Sequence, residues 1–78
     1  MKVVTERGFQ RVNFMDRNQQ PCSLQISSVM GAPALWMGCD EGVHHLGRCL
    51  ARMHLTQAQV AELLPLLEHF VKTGELPA

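Results

Sequence analysis

The stretch TQAQVAELLPLLEHFVKTG, residues 56–74, decides much of the fold. Thr56 and Gln59 have the spacing of a capping box, in which each side chain bonds the backbone amide of the other where a helix begins. Gly74 stands where a C-terminal cap belongs. The apolar residues between them recur at the spacing of one helix face. These residues are Val60, Leu63, Leu64, Leu67, Phe70 and Val71. We therefore predict an amphipathic helix over about residues 56–73.

Two residues inside this predicted helix need their own explanation. Pro65 removes the backbone hydrogen bond to the carbonyl of Ala61 and should bend the helix. Leu66 falls off the main apolar stripe and has no evident place in the core of a monomer. We therefore expect Leu66 to lie on a surface that contacts another protein.

The sequence before the helix carries the two-residue period of β-strands. Residues 9–15 (FQRVNFM) and residues 22–28 (CSLQISS) alternate apolar and polar side chains, which predicts two strands. Residues 16–21 are polar turn formers, so they should connect the two strands as a hairpin. The side chains expected to face the core from the second strand are Cys22, Leu24 and Ile26.

Two further strands are expected between the hairpin and the helix. Residues 34–38 (ALWMG) are short, apolar and bounded by turn residues, which predicts a third strand. Residues 39–47 are read as a loop or a loose hairpin because glycines stand at or near their ends. Residues 48–55 (RCLARMHL) alternate again and predict a fourth strand.

Together these elements predict an α+β fold. An antiparallel sheet of three to four strands, over about residues 9–55, carries one C-terminal helix packed across one face. With 78 residues the chain is too short for two domains, so we expect residues 1–78 to form one small domain.

Composition excludes several classes of function. Seven Lys and Arg balance seven Asp and Glu, so no net field attracts nucleic acid or an anionic membrane. No run of residues is apolar and long enough for a membrane span. The N-terminus does not read as a signal peptide, and three cysteines are an odd number. We therefore expect reduced thiols and a cytoplasmic location.

The sequence carries no motif that fixes a catalytic activity. It has neither a nucleophile elbow nor a phosphate-binding glycine loop. We therefore expect a protein that is not an enzyme and that needs no cofactor. One cluster suggests metal as an alternative, because Cys and His at regular intervals can ligate zinc. The set is Cys39, His44, Cys49 and His54, with Cys22 as another source of the fourth ligand.

Nucleic-acid binding is a second alternative. If Arg11 lies on the outer face of the sheet, Arg48, Arg52 and His54 can join it there and form a local basic face on a neutral chain.

A protein-binding surface fits the sequence better than either alternative. An open sheet has edges that can pair with another chain, and the chain holds more apolar residues than one small core needs. A homodimer would use the same surplus. The apolar surplus comprises Met30, Trp36, Met37, Leu50 and Leu66. The residues expected to contact a partner are Arg11, Arg48, Leu50, Arg52 and Leu66.

The chain also resembles a family of small uncharacterised bacteriophage and prophage proteins over most of residues 14–76. The resemblance is carried by Phe14, Asp16, Cys22-Ser23-Leu24-Gln25-Ile26-Ser27-Ser28, Leu35-Trp36-Met37-Gly38, Arg52-Met53-His54-Leu55-Thr56, Gln59-Val60, Leu63-Leu64-Pro65, Phe70 and Thr73-Gly74-Glu75-Leu76. It implies no catalytic residues. It implies a phage accessory protein that binds and modulates a bacterial host protein, for example an inhibitor of a defence system of the anti-CRISPR kind.

Overall fold

The fold joins a four-stranded sheet to one helix. The computed structural model describes residues 1–28, 31–41 and 52–78, and the backbone of residues 44–45 and 48–49. The strands of the sheet are β1 (Val3–Glu6), β2 (Phe9–Met15), β3 (Pro21–Ile26) and β4 (Leu35–Cys39), antiparallel and in the order β1-β2-β3-β4. The short strands β5 (His44–His45) and β6 (Arg48–Cys49) pair with each other, and α1 is Gln57–Thr73. The predicted α+β class is confirmed.

The fourth strand of the sheet is not the one that the sequence predicted. β1 precedes the predicted sheet and joins β2 through Arg7 and Gly8, whose φ angles are 51° and 84°. Two successive left-handed residues make the type I′ turn of a tight hairpin. The expected signal for this turn, Asn or Asp before Gly, is absent because Arg7 holds the first position.

Residues 48–55 do not form one strand of the main sheet. In the described part of this segment, Arg48–Cys49 is paired in β6 and residues 52–56 have no regular structure. The connection between β2 and β3 bonds this segment instead. Arg17 N–H donates to the carbonyl of His54 at 2.8 Å, and the Gln20 side chain donates to the carbonyl of Arg52 at 3.2 Å. These hydrogen bonds from the β2–β3 connection occupy backbone carbonyls that, in a strand of the sheet, would accept from a neighbouring strand.

The predicted helix is confirmed at both ends. Thr56 Oγ1 accepts from Gln59 N–H at 3.1 Å, and Gln59 Oε1 accepts from Thr56 N–H at 2.9 Å, which completes the capping box. Gly74 adopts a left-handed φ of 77° and donates its N–H to the carbonyl of Phe70. A Cβ at this position would also lie 3.2 Å from Cγ of Pro33, so Gly74 is favoured by both conformation and space.

The core lies between α1 and the face of the sheet formed by alternate residues of β2 and β3. Its buried members are Val12, Leu24, Leu63, Leu66 and Leu76. The apolar residues packed around them are Met1, Val3, Phe14, Ile26, Leu35, Leu55 and Leu67. Cys22 and Leu24 are buried as predicted, and Ile26 is half-buried against the same core.

Leu66 corrects the predicted orientation of the helix. It is buried in the core, whereas Leu64 is 51% exposed and Val71 is 82% exposed. Leu63, Leu66 and Leu67 also have the spacing of one helix face, so two stripes fit the same sequence. The helix turns this second stripe to the sheet. Leu66 is therefore not available as the partner-contacting residue that the sequence suggested.

Candidate functional site

One edge of the sheet, β4, carries two exposed large apolar side chains. β3 pairs with one side of β4, and none of the strands in the described residues pairs with the other side. Trp36 and Met37 are adjacent and therefore point to opposite faces, and they are 62% and 51% exposed. Met37 lies opposite Leu24, which is fully buried. α1 therefore covers β3 but leaves β4 partly uncovered.

The backbone of β4 presents its hydrogen-bonding groups in a defined pattern. Asp40 N–H donates to the carbonyl of Pro21, and Ser27 N–H donates to that of Ala34. In an antiparallel ladder these bonds flank the pairs Cys22–Cys39 and Ile26–Leu35, which are therefore non-hydrogen-bonded pairs. Bonding groups alternate along a strand, so those of Leu35, Met37 and Cys39 point away from β3. The open edge consequently offers the N–H and C=O of these residues, and we call it the β4 edge.

Arg11 occupies the middle of the face of the sheet opposite the core. The register aligns it with Gln25 of β3 and, through Gln25, with Trp36 of β4. Arg11 Nη1 donates to Gln25 Oε1 at 2.7 Å, and Arg11 Nε donates to Asn13 Oδ1 at 2.6 Å. The guanidinium thus holds the Gln25 side chain, and the cross-strand neighbour of Gln25 on β4 is the exposed Trp36.

Acidic side chains neutralise Arg11. Its Nη2 lies 3.1 Å from Asp40 Oδ1, and its Nε lies 3.5 Å from Glu6 Oε2. Ser23 Oγ also donates to Asp40. An open groove of about 480 Å³ runs beside this cluster, and its lining residues are Glu6, Arg7, Phe9, Arg11, Gln25 and Ser28. Two carboxylates around one guanidinium make the cluster a poor attractor of phosphate.

Of the other predicted partner residues, Leu66 lies in the core, Arg52 lies in the segment before α1, and two lie wholly or partly outside the described residues. Arg52 is exposed, and its carbonyl is held by the β2–β3 connection. The side chain of Arg48 and the whole of Leu50 are outside the described residues. The structure places two carboxylates beside Arg11, and the arginine face stays a prediction because the side chain of Arg48 lies outside the described residues.

A buried carboxylate organises the connection between β2 and β3. Asp16 is 2% exposed, and each of its two oxygens accepts two hydrogen bonds. Oδ1 accepts from the backbone N–H groups of Asn18 and Gln20, both at 2.9 Å. Oδ2 accepts from the Gln20 side chain at 2.8 Å and from His54 N–H at 2.9 Å. Asp16 thereby ties the hairpin to the segment that leads into α1.

These bonds determine the ionisation of Asp16. Burial raises the pKa of its carboxyl, but hydrogen bonds from His54, Gln20 and Asn18 to the charged form outweigh burial and hold the pKa below the ordinary value of 3.8. Asp16 is therefore a carboxylate at neutral pH.

Two thiols face each other close to Asp16. Cys22 of β3 and Cys39 of β4 lie directly opposite, and their sulfur atoms are 3.7 Å apart. Burial, the neighbouring Cys39 and the charges of Asp16 and Asp40 raise the pKa of Cys22 to about 12. Both cysteines are free thiols, and Cys22 is the more deeply buried.

Two of the four predicted metal ligands, Cys39 and His54, lie within the described residues. Cys39 contacts Cys22, and Nδ1 of His54 is 3.4 Å from the Asn18 side chain. The side chains of His44 and Cys49 lie outside the described residues. Asp16 is a site residue that was not expected from the sequence. A turn-forming Asp two residues before Asn18 is nevertheless a recognisable sign of side-chain bonding to the local backbone.

Comparison with known proteins adds no relative. No family model matches the chain, and neither the curated proteins nor the solved structures give a significant match. Within the described residues no helix has the length and the apolar character needed to cross a membrane.

Proposed function

We propose that this chain is a small non-catalytic phage accessory protein that binds a bacterial host protein in the host cytoplasm. The binding surface in this proposal is the β4 edge, and the partner adds an extended segment to it as a fifth strand. More specifically, we propose that the host protein belongs to a bacterial defence system and that this chain inhibits it. The resemblance to phage proteins supports a bacterial host protein as the partner. The exposed β4 edge supports the choice of binding surface.

The β4 edge suits a peptide strand for two reasons. The backbone groups of Leu35, Met37 and Cys39 point outward and can form ladder hydrogen bonds with an added strand. Trp36 and Met37 supply one exposed apolar side chain on each face of such a strand. Natural proteins usually protect long edges with charges or prolines, and the sequence LWMGC of β4 contains neither.

Proline substitution at Met37 tests the edge without disturbing the sheet. The N–H of Met37 points away from β3, so Met37→Pro removes an outward donor and leaves the β3–β4 ladder intact. The matched control, Met37→Ala, removes the same side chain but keeps the N–H. Val71→Ala is a second control, because Val71 is 82% exposed on α1 and lies outside the edge.

The experiment captures partners from bacterial lysate with the wild-type chain and the three variants. We expect at least one host protein to be retained by wild type and Val71→Ala, and to be retained more weakly by Met37→Ala, which lacks the Met37 side chain. It should be lost with Met37→Pro while the circular dichroism spectrum stays unchanged. A partner that all four chains retain equally would contradict the edge model. Concentration-dependent dimerisation that Met37→Pro abolishes would assign the edge to a second copy of this chain instead.

A further inference from the structure

We propose that Asp16, Cys22 and Cys39 form a binding site for a thiophilic divalent cation of the zinc type. The two thiolates are the principal ligands, and the carboxylate of Asp16 is the third. This site shares Cys39 with the β4 edge, but it uses the side chain of Cys39 and not its backbone, and it needs no host partner. It also differs from the ligand set that the sequence suggested, because it uses neither His44, Cys49 nor His54.

The fold brings the three ligands together from three separate segments. Cys22 and Cys39 form a non-hydrogen-bonded cross-strand pair, the position at which opposite side chains approach each other most closely. Asp16 reaches the same place from the connection that precedes β3. One ligand atom from each residue lies within 4.8 Å of the other two. The fold thus brings two sulfur atoms and one carboxylate oxygen to one point.

The distance between the sulfur atoms fits a bridging metal. Zinc binds sulfur at about 2.3 Å in tetrahedral geometry, which places two coordinated sulfurs about 3.8 Å apart. The observed separation between Cys22 Sγ and Cys39 Sγ is 3.7 Å. A disulfide would need the sulfurs at about 2.05 Å, so β3 and β4 or their side chains would have to shift. The metal requires no such movement of the two sulfur atoms.

The chemistry of the ligands selects the class of cation. Thiolates favour zinc and other soft ions over magnesium or calcium. Binding breaks the S–H bond of each thiol, releases two protons to solvent and forms two sulfur–metal bonds without any change of oxidation state. The ligands then carry three negative charges against two positive charges on the metal. Affinity should rise with pH, because both protons must leave.

Gln20 controls access to the third ligand. The four hydrogen bonds on Asp16 comprise three from backbone amides and one from the Gln20 side chain, whose Nε2 lies 2.8 Å from Oδ2. The other end of the same amide, Oε1, lies 3.9 Å from Cys39 Sγ. Gln20 is only half-buried, so rotation of its side chain frees a lone pair of Asp16 and opens a route between carboxylate and thiol.

The test is metal binding by the full chain, reduced with a phosphine and stripped of metal. Zn²⁺ affinity is measured by competition with a chromophoric chelator, and Cd²⁺ binding by sulfur-to-metal charge-transfer absorption. We expect one equivalent to bind to wild type and to the Cys49→Ala control. Cys22→Ala and Cys39→Ala should lose more than about 100-fold in affinity, since even partners outside the ligand shell are worth 10–100-fold. Cys39 is less buried than Cys22, so Cys39→Ala keeps the test valid if Cys22→Ala unfolds.

Three results would overturn the site. The first is a reduced wild-type chain that binds no Zn²⁺ or Cd²⁺. The second is loss of binding in Cys49→Ala with retention in Cys39→Ala, which would place the metal elsewhere. The third is a loss of tenfold or more in Gln20→Ala, which keeps all three ligands and removes only the side chain that competes for Asp16. We expect Gln20→Ala to bind at least as tightly as wild type.

Discussion

The side chain of Gln10 bonds both backbone groups of Leu76. Gln10 Nε2 donates to the carbonyl of Leu76 at 2.7 Å, and Gln10 Oε1 accepts from its N–H at 2.9 Å. Leu76 is 1% exposed and belongs to the core. One β2 side chain thus satisfies the polar groups of a buried residue that follows α1, and it secures the C-terminal segment to the sheet.

Gln10→Ala should lower the free energy of unfolding by about 1–3 kcal/mol. The substitution leaves a buried N–H and a buried C=O without their protein partners, and such groups cost that much when unsatisfied. Urea denaturation measures the change. Gln57→Ala is the control, since Gln57 is exposed in the first turn of α1 and should change stability by less than about 0.5 kcal/mol. Equal effects from the two variants would show that the Gln10 bonds carry no stability.

The orientation of α1 is tested by two neighbouring leucines. Leu66→Ala should cost about 2–5 kcal/mol because it leaves a cavity in the core, whereas Leu64→Ala removes a half-exposed side chain and should cost less than about 1 kcal/mol. The two variants have the same helix propensity, so their difference in urea midpoint reports burial alone. The reverse order would mean that the stripe first inferred from the sequence faces the sheet.

Acid should destabilise the fold through Asp16. Its folded pKa is below the ordinary value of 3.8, so the folded state binds a proton less readily than the unfolded chain does. The stabilisation is present above that ordinary value and is lost as the pH falls through the folded pKa. Urea midpoints measured from neutral to strongly acidic pH should decline accordingly.

Asp16→Asn separates this contribution from other acid effects. The variant should be less stable at neutral pH, because its amide turns an NH₂ group toward N–H donors, and its acid dependence should be weaker. Glu62→Gln, on the exposed side of α1, is the control for the loss of one carboxylate elsewhere in the chain. If the stability of Asp16→Asn falls with acid as steeply as that of wild type, Asp16 is not the cause of the acid dependence.

Alkaline pH should destabilise the fold through Cys22. Its folded pKa is about 12 against an ordinary value of 9.0, so the unfolded chain loses the thiol proton first. The stabilisation is complete below the ordinary value and is lost as the pH rises toward the folded value. The free energy of unfolding of the metal-free protein should therefore fall across this pH range, and that of Cys22→Ala should fall less.

The same pKa predicts the reactivity of the thiol. Iodoacetamide reacts with the thiolate, so at mildly alkaline pH Cys22 should be alkylated much more slowly in the folded protein than in urea. Mass spectrometry of the digested protein quantifies the labelling of Cys22 against Cys39, which is less buried. Labelling of Cys22 at the unfolded rate would contradict its burial.

Much of the local structure could be predicted because its causes are local. The ends of α1 depend on Thr56, Gln59 and Gly74, which act on their own backbone neighbours. β2 and β3 follow from alternation along the chain and from the polar turn between them. β1 was not predicted because Arg7 stands where Asn or Asp usually marks a left-handed turn. The predicted strand over residues 48–55 was wrong because its backbone bonds the β2–β3 connection instead.

The candidate sites were less predictable because they join distant residues. Trp36 and Met37 were recognised as surplus apolar residues, but the sequence did not show that β4 is an edge. Cys39 belonged to the alternative zinc set suggested by the sequence, but its pairing with the thiol of Cys22 depends on the register between β3 and β4. A shift of one residue would place the two side chains on opposite faces.

The sequence by itself determined the α+β class, the limits of the helix and two of the main strands, since caps, turns and alternation act over a few residues. Tertiary structure alone decided which helix stripe faces the sheet, because the stripe that contains Leu64 and the stripe that contains Leu66 are both compatible with the helical period. It also decided that Asp16, Cys22 and Cys39 meet, because contacts between remote residues depend on strand order and register, which short-range patterns do not specify.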